Sequence, residues 1–157
     1  MSADNGTELR VKKIENGTVI DHIPKGRALA VLRILGIRYP TDFIVSVVMN
    51  VPSGKYGTKD VVKIENRELT EDELNKIALI APEATINIIR SYKVARKFKV
   101  ELPDHIENVV KCANPACITN TREPVKPTFT VIQKSPVILR CDYCGKYTTF
   151  EDIIEQF

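Results

Sequence analysis

Four cysteines in two close pairs constrain the second half of this chain more than any other feature. Four residues separate Cys112 from Cys117, two separate Cys141 from Cys144, and 23 residues lie between the pairs. Two such pairs brought together in space place four thiolates around a tetrahedral zinc ion with no open coordination position, which is a structural site. Disulfides and unliganded buried thiols are the alternatives for the same residues.

The segment that carries these cysteines is too short to be stable by its apolar core alone. From Cys112 onward the chain consists of short strand-like runs, prolines and cysteines. A segment of about 50 residues of this kind needs a bound metal or disulfides to be stable. We predict strands at residues 129–133, 137–140 and 147–150 around one structural Zn²⁺ per chain. Residues 102–104 read as a linker, and Ile106 and Val109 after it have helical spacing.

Length and composition favour a globular protein with two small domains. The chain has 157 residues, of which 43% are hydrophobic and 27% charged, the balance of a folded chain. We predict domains at residues 1–101 and 102–157. The polar, acidic start does not resemble a secretory signal, and no apolar run approaches the length of a membrane span. We therefore expect a cytoplasmic protein without a membrane partner. In that compartment cysteines more often bind a metal or take part in chemistry than form disulfides.

The first domain begins with strand and helix signals in an informative order. Asn16-Gly17 between two strand-like runs predicts an opening hairpin, with residues 18–23 as the return strand. Residues 24–36 have helical periodicity that Gly36 ends. Runs rich in β-branched residues predict a buried strand at 43–51 and a further strand at 61–65.

The second helix and a last strand complete the pattern. Thr70 and Glu73 form a capping box, and Pro82 ends the apolar stripe that follows it. Residues 85–94 predict one strand with a basic tail behind it. From Thr18 the order is β-α-β-β-α-β, the ferredoxin-like arrangement, with one extra strand from the opening hairpin. We predict an α+β fold, a mostly antiparallel sheet with two helices on one face, followed by a small all-β zinc-binding domain.

A cluster of cations near the end of the first domain suggests an anion site. Between residues 84 and 100 there are five cations and no acid, and they are Arg90, Lys93, Arg96, Lys97 and Lys99. Such a field attracts phosphate. The alternative is a solvated edge strand whose Lys and Arg side chains block aggregation.

Three polar residues in predicted strands are further candidates. Asp21 and His22 interrupt an apolar strand and could contact a ribose hydroxyl and a phosphate, or could be satisfied by local hydrogen bonds. As strand neighbours they point to opposite faces in regular geometry, which argues against a catalytic dyad. Lys63 could equally pair with Glu65. No phosphate-binding Gly-rich loop and no nucleophile–base pair is present, so a nucleotide must bind through side chains and strand backbone, and we predict no catalysis.

Several motifs together carry a resemblance to a known family. They are the string GTVIDHIP from Gly17, Pro52-Ser53-Gly54, Lys59-Asp60, the string KIEN from Lys63, the pattern APxATxN from Ala81, and the two cysteine pairs. In this order they closely resemble the regulatory chain of aspartate carbamoyltransferase. The resemblance extends from about Leu9 to Phe150.

The resemblance implies a non-catalytic subunit of an enzyme complex. In that family the N-terminal domain forms a homodimer and binds nucleoside triphosphates, with CTP, often together with UTP, as inhibitor and ATP as activator. The zinc domain docks on the catalytic chain, so that regulatory dimers link catalytic trimers. Effector binding then biases a two-state quaternary equilibrium that controls pyrimidine biosynthesis.

The resemblance also implies which residues bind the nucleotide. Asp21 and His22 would face ribose and phosphate, Lys63 would lie near base or ribose, and Lys97 would bind the triphosphate. Four residues near the start of the chain are implied to contact the base: Val11, Lys12, Lys13 and Ile14. The base and sugar would be lined by Asn87, Ile89, Tyr92 and Val94. Val19 is also implied to belong to the pocket. The zinc ligands would be Cys112, Cys117, Cys141 and Cys144.

A zinc-ribbon nucleic-acid-binding protein is the main rival interpretation. Residues 102–157 contain six Lys and Arg against seven Asp and Glu, and a tetrathiolate zinc centre adds further negative charge. That is the wrong sign for binding phosphate backbones, so we expect no nucleic-acid partner. A free-standing small-molecule sensor is the third interpretation, but it leaves the zinc domain without a role.

Overall fold

The computed structural model describes residues 13–38, 40–54, 57–123 and 125–157. Within them the first part of the chain forms a five-stranded sheet in which every neighbouring pair is antiparallel. Its strands are β1 (Gly17–Pro24), β2 (Val45–Pro52), β3 (Thr58–Glu65), β4 (Thr85–Arg90) and β5 (Lys93–Lys99), in the spatial order β2-β3-β1-β4-β5.

Two helices cover one face of this sheet. Helix α1 (Ala28–Ile34) follows β1, and α2 (Glu71–Ile80) follows β3. Thr70 and Glu73 form the predicted capping box at the start of α2, with the Thr70 hydroxyl accepting from the Glu73 amide. The helices pack on inward-facing strand residues such as Ile20, Ile64 and Ile86. The order β1-α1-β2-β3-α2-β4 confirms the predicted ferredoxin-like α+β fold.

The fifth strand of the sheet is β5, near the end of the first domain, and not the predicted first strand of an opening hairpin. Residues 85–99 form two strands, since a two-residue turn at Ser91 and Tyr92 reverses the chain between β4 and β5. Both turn residues have positive φ, 51° and 65°, as in the tight primed turns of hairpins, but neither is Gly or Asn, so the sequence gives no turn signal. The predicted opening hairpin involves residues that lie largely outside the described ones, and residues 13–16 form no strand.

The prediction of a buried strand at residues 43–51 is wrong in its burial. Strand β2 lies at the edge of the sheet, and every side chain along it is exposed or half-exposed. β-branched residues suit any pleated backbone, so their enrichment predicts a strand but cannot distinguish an edge strand from a central one.

In the second part of the chain, the described residues form a four-stranded antiparallel sheet, one short α-helix and a single 3₁₀ turn at Ile118–Asn120. Its strands are β6 (His105–Glu107), β7 (Thr128–Lys134), β8 (Val137–Cys141) and β9 (Tyr147–Thr149), in sequential order, followed by α3 (Phe150–Ile154). Residues 105–107 form a strand instead of the helical turn that the spacing of Ile106 and Val109 suggests, because Ile106 pairs with Phe129 and is buried there.

The apolar core is continuous between the two sheets. Leu102 and Ile106, which join the two parts of the chain, are buried in the same cluster as Leu79 of α2 and Ile153 of α3. The metal-binding part of the chain is thus packed against the helices of the first sheet, on the side opposite the face described next.

Candidate functional site

The face of the first sheet that α1 and α2 leave uncovered carries a straight row of mainly polar residues, of which Lys63, Val19 and Asn87 are buried. Backbone register aligns Ser46, Lys63, Val19, Asn87 and Lys97 across β2, β3, β1, β4 and β5. Directly opposed residues of antiparallel strands project to the same face. Four of these five residues are predicted nucleotide contacts, and three strand spacings, about 14 Å, separate Lys63 from Lys97.

A β-bulge re-aims the two polar residues at the end of β1. The pairing of β1 with β3 shifts between Ile20 and Ile23, and His22 in the bulge has a φ of 57°. Asp21 is buried and His22 is exposed, yet the His22 amide donates to Asp21 Oδ1 at 2.7 Å, and the His22 ring nitrogen Nδ1 lies 3.9 Å from Asp21 Oδ2. The expectation of opposite faces, which holds for a regular strand, therefore does not apply here.

Lys59 fixes the Asp21 carboxylate. Its ammonium Nζ lies 2.8 Å from Asp21 Oδ1, and both side chains are buried. Burial opposes ionisation of Asp21, but hydrogen bonds that include those from Lys59 and from the His22 amide outweigh it and lower the pKa of Asp21 to about 2. Burial lowers the pKa of His22, although Asp21 partly opposes that change. At neutral pH the site thus presents an ionised carboxylate beside a neutral imidazole.

A cleft of about 710 Å³ opens beside this pair. Its lining consists of His22, Ser53, Gly54, Glu83, Thr85, Lys97, Phe98 and Lys99. The His22 ring nitrogen Nδ1 hydrogen-bonds to the Thr85 hydroxyl at 3.2 Å. Thr85 is the centre of a second row, in which it pairs with Asp21 on one side and Lys99 on the other. The cleft therefore brings two lysines, a hydroxyl and an imidazole to one open edge.

The four cysteines converge in the second domain. Their Sγ atoms all lie within 4.8 Å of one another, with 3.6 Å between Cys112 and Cys144 and 3.7 Å between Cys117 and Cys141. A disulfide needs about 2.05 Å, so none of these pairs is bonded. Four sulfurs at 2.3 Å from a tetrahedral Zn²⁺ would be about 3.8 Å apart. The thiols fit a tetrahedral metal.

Hydrogen bonds orient the sulfurs for such a role. The Cys144 amide donates to Cys141 Sγ at 3.5 Å, and the Thr119 hydroxyl donates to Cys117 Sγ at 3.2 Å. Burial raises the pKa of Cys112 to about 12, whereas the backbone amide of Lys146 lowers that of Cys144 to about 6. A cation is what would allow all four neighbouring thiols to be thiolates together.

Comparison with known proteins accounts for both halves of the molecule. Residues 9–101 match the family described as "Aspartate carbamoyltransferase regulatory chain, allosteric domain", and residues 104–154 match its "metal binding domain". The chain belongs to the aspartate carbamoyltransferase regulatory chain family. The predicted resemblance is confirmed, and the chain is a regulatory, non-catalytic subunit with an allosteric and a metal-binding domain.

Individual regulatory chains match over nearly their full length. The aspartate carbamoyltransferase regulatory chain of Korarchaeum cryptofilum is 58% identical over 150 residues, which are 95% of this chain and 96% of that protein. That of Methanothrix thermoacetophila is 61% identical, with 90% and 92% covered. That of Saccharolobus islandicus is 54% identical, with 99% and 98% covered.

The residues predicted for the regulatory-chain nucleotide site fall into distinct places. Asp21, His22, Lys63, Asn87 and Lys97 lie on the uncovered sheet face or in its cleft. Burial lowers the pKa of Lys63, and the nearby Asp21 carboxylate opposes that change.

The apolar members of the predicted set lie on the same face. Val19, Ile14 and Ile89 form a small buried cluster there. Val94 pairs with Ile89 and is exposed, as is Tyr92 in the hairpin turn. Lys13 is exposed, and the predicted contacts Val11 and Lys12 lie outside the described residues.

Sequence reasoning missed Lys59 and Thr85 as site residues, and it named Lys99 only as one of the five cations of a possible anion site. Thr85 and Lys99 are two residues from Asn87 and Lys97 on the same strands, so strand periodicity alone places each pair on one face. Lys59 could not be found in this way, because its pairing with Asp21 depends on the β-bulge. Among the described residues, no helix is long and apolar enough to cross a membrane.

Proposed function

We propose that this regulatory chain binds nucleoside triphosphates, CTP and UTP as well as ATP, as allosteric effectors on the uncovered face of its first sheet. The row of Lys63, Val19, Asn87 and Lys97 carries this proposal. The row has a lysine at each end, with an amide and an apolar side chain between them; Lys97 is exposed, whereas Lys63, Val19 and Asn87 are buried. Such a row suits a ligand that has a phosphate chain, a sugar and a base along its length.

The roles of the side chains follow from their chemistry. The ionised Asp21 accepts a ribose hydroxyl, while Lys97 and the imidazole of His22 bind phosphate oxygens across the cleft. Lys63 lies near base or ribose. Asn87, Ile89, Tyr92 and Val94 line the base and sugar. Val19, which pairs with Asn87 on the neighbouring strand, belongs to the same site, and residues 11–14 add base contacts.

Calorimetric titration of the zinc-loaded chain with CTP and with ATP tests this function. We expect saturable binding of each nucleotide and none of a short oligonucleotide. Lys97→Ala should weaken CTP and ATP alike by about tenfold, because it removes a phosphate contact and no base contact. Lys93→Ala is the matched control, since Lys93 is an exposed cation on the same strand outside the cleft.

Two results would contradict the nucleotide site. An unchanged CTP affinity in Lys97→Ala would remove Lys97 from it. Salt-sensitive oligonucleotide binding without a response to either nucleotide would instead favour a zinc-ribbon nucleic-acid-binding protein.

We further propose that the metal is one structural Zn²⁺ per chain, held by Cys112, Cys117, Cys141 and Cys144. The thiol spacing and the use of all four cysteines support a closed centre. We also propose a cytoplasmic location, because unbridged thiols arranged for metal suit a reducing compartment.

The metal-binding domain is proposed to dock on the catalytic chain. Ile118 and Tyr143, next to ligand cysteines, are 45% and 53% exposed, and apolar and aromatic side chains of this kind are enriched in interfaces. Regulatory dimers would thereby link catalytic trimers and control pyrimidine biosynthesis. We propose that the boundary between the docking domain and the allosteric domain lies between residues 101 and 102.

The dimer is proposed to form through the first domain. Edge strand β2 and the residue before it expose apolar side chains, among them Ile44, at 64%, and Met49, at 42%. An exposed apolar edge is a surface on which a second copy can add its own edge strand. The dimer would leave the uncovered sheet face free for nucleotide.

A further inference from the structure

The start of helix α1 is held by a side chain from a different strand. Arg27 occupies the capping position of α1 but makes no side-chain capping bond. Instead, the fully buried Asp60 of β3 accepts hydrogen bonds from the amides of Gly26, at 2.8 Å, and Ala28, at 3.1 Å. Its second oxygen accepts from Asn50 at 2.9 Å. The position of the α1 start therefore follows the position of Asp60.

The residue before Asp60 belongs to the candidate nucleotide site. Lys59 and Asp60 are neighbours on β3 and point to opposite faces of the sheet. Lys59 binds Asp21 on the uncovered face, at 2.8 Å, while Asp60 binds α1 on the helix face. Lys59 and Asp60 are joined by a single peptide bond. A displacement of Lys59 would therefore also displace Asp60, which binds the start of α1.

Arg27 connects the start of α1 to the metal-binding domain. Its guanidinium Nη1 donates to the carbonyl of Ile80 at the end of α2, at 3.0 Å. The same guanidinium lies 4.2 Å from the ring centroid of Phe150, the first residue of α3, in a cation–π contact. Arg27 is half-buried in this position.

A hydrogen bond continues this connection to the cysteine cluster. Two residues before Phe150, the hydroxyl of Thr148 is fully buried and accepts from the amide of Ala113 at 3.1 Å. Ala113 follows Cys112. Side-chain contacts and short backbone segments therefore connect Asp21 to the neighbour of a metal ligand.

We propose that Lys59, Asp60 and Arg27 couple nucleotide binding to the metal-binding domain, with the Arg27–Phe150 contact as the element that closes and opens. The inference rests on the proposed nucleotide site. A ligand hydroxyl that binds Asp21 competes with Lys59 for the carboxylate, shifts the Lys59–Asp60 unit, and so changes how firmly Arg27 holds Phe150. Arg27 and Asp60 touch no nucleotide and act by position alone.

Hydrogen exchange of the full, zinc-loaded chain with and without CTP tests this coupling. In the wild type we expect saturating CTP to slow exchange of the α3 amides about fivefold, the lower range of ordinary allosteric coupling. In Arg27→Met the effect on α3 should disappear, while CTP affinity measured by calorimetry stays within about twofold. Phe150→Leu, which keeps apolar packing and removes the aromatic ring, should behave in the same way.

Arg33→Met is the matched control. Arg33 lies on the same helix and donates to the carbonyl of Phe157, also in the second domain, at 2.9 Å. If every contact between α1 and the second domain transmitted the effect of CTP, this variant would lose the slowing of α3 amide exchange. We expect it to keep the wild-type response.

The possible failures are distinguishable. A wild type that does not bind CTP overturns the nucleotide site and the coupling with it. A wild type that binds CTP while α3 exchange is unchanged overturns the coupling alone. An equal α3 response in wild type and Arg27→Met also overturns it.

Discussion

At the scale of single residues, Asp21 contributes to the stability of the chain in a way that depends on pH. Its folded pKa of about 2 lies below the ordinary value of 3.8. A carboxyl with a lowered folded pKa stabilises the fold above its unfolded pKa, and this contribution is lost as pH falls through the folded value. The difference corresponds to about 2 kcal/mol at neutral pH. We expect Asp21→Asn to lose about this amount at pH 7.

Urea unfolding of wild type and Asp21→Asn at several pH values measures this effect. The gap between their unfolding free energies should be constant above pH 5 and should shrink between about pH 4 and pH 2. Loss of the metal at acid pH affects both proteins and cancels in the difference. A gap that stays constant down to pH 2 would mean that ionisation of Asp21 does not stabilise the fold.

The sequence predicts the members of this site better than their geometry. Asp21, His22 and Lys97 stand out as polar or charged residues in strand patterns, and the structure brings them to one sheet face or its cleft. The ion pair between Asp21 and Lys59 is not predictable from periodicity, because it requires the positive φ of His22 in the bulge. A bulge depends on how two strands fit together, and one strand's pattern does not contain that information.

At the scale of elements, the edge strand β2 makes the proposed dimer testable. Replacing both Ile44 and Met49 by Lys places two charges on the exposed edge, a substitution that opposes strand pairing between copies. We expect the dimer dissociation constant to rise at least about tenfold in sedimentation equilibrium. The chain should still fold, because both side chains are largely exposed.

Leu29→Lys is the control for this substitution. Leu29 is an apolar side chain of α1 with 53% exposure and lies away from the sheet edge. Its replacement adds a charge without touching β2, so the dimer should persist. If both variants dissociate equally, the effect is due to net charge and not to the edge strand. If the Ile44/Met49 variant stays dimeric, this edge is not the interface.

Elements with local signals are predictable, and elements defined by their partners are not. The capping box of Thr70 and Glu73 fixes the start of α2 within the sequence itself, and the structure contains it. Strand β6 lacks such a signal, because Ile106 is a strand residue through its pairing with Phe129, 23 positions away. The burial of β2 likewise depends on which strands flank it.

At the scale of the whole molecule, we expect the proposed zinc centre to decide whether the second domain folds. A sheet of short strands with one five-residue helix buries too little apolar surface to be stable alone. Binding of structural zinc supplies about 10–16 kcal/mol in small zinc domains, which is folding free energy. We therefore expect one Zn²⁺ per purified chain by plasma mass spectrometry, and unfolding of residues 102–157 on chelation.

Assembly with the catalytic chain should depend on the same centre. Cys141→Ser removes a buried ligand, so we expect it to abolish stoichiometric zinc and co-elution with catalytic trimers in size-exclusion chromatography with light scattering. Asp142→Asn, an exposed change at the adjacent position, should retain both.

Because the apolar core is continuous between the two domains, loss of the metal should affect the first domain as well. Because Phe150 contacts Arg27 and Ile153 shares a core with α2, loss of the metal should also destabilise the first domain and leave it folded but more easily denatured. A zinc-free chain that resists chelator and still assembles with catalytic trimers would contradict both the structural role of the metal and the docking role of its domain.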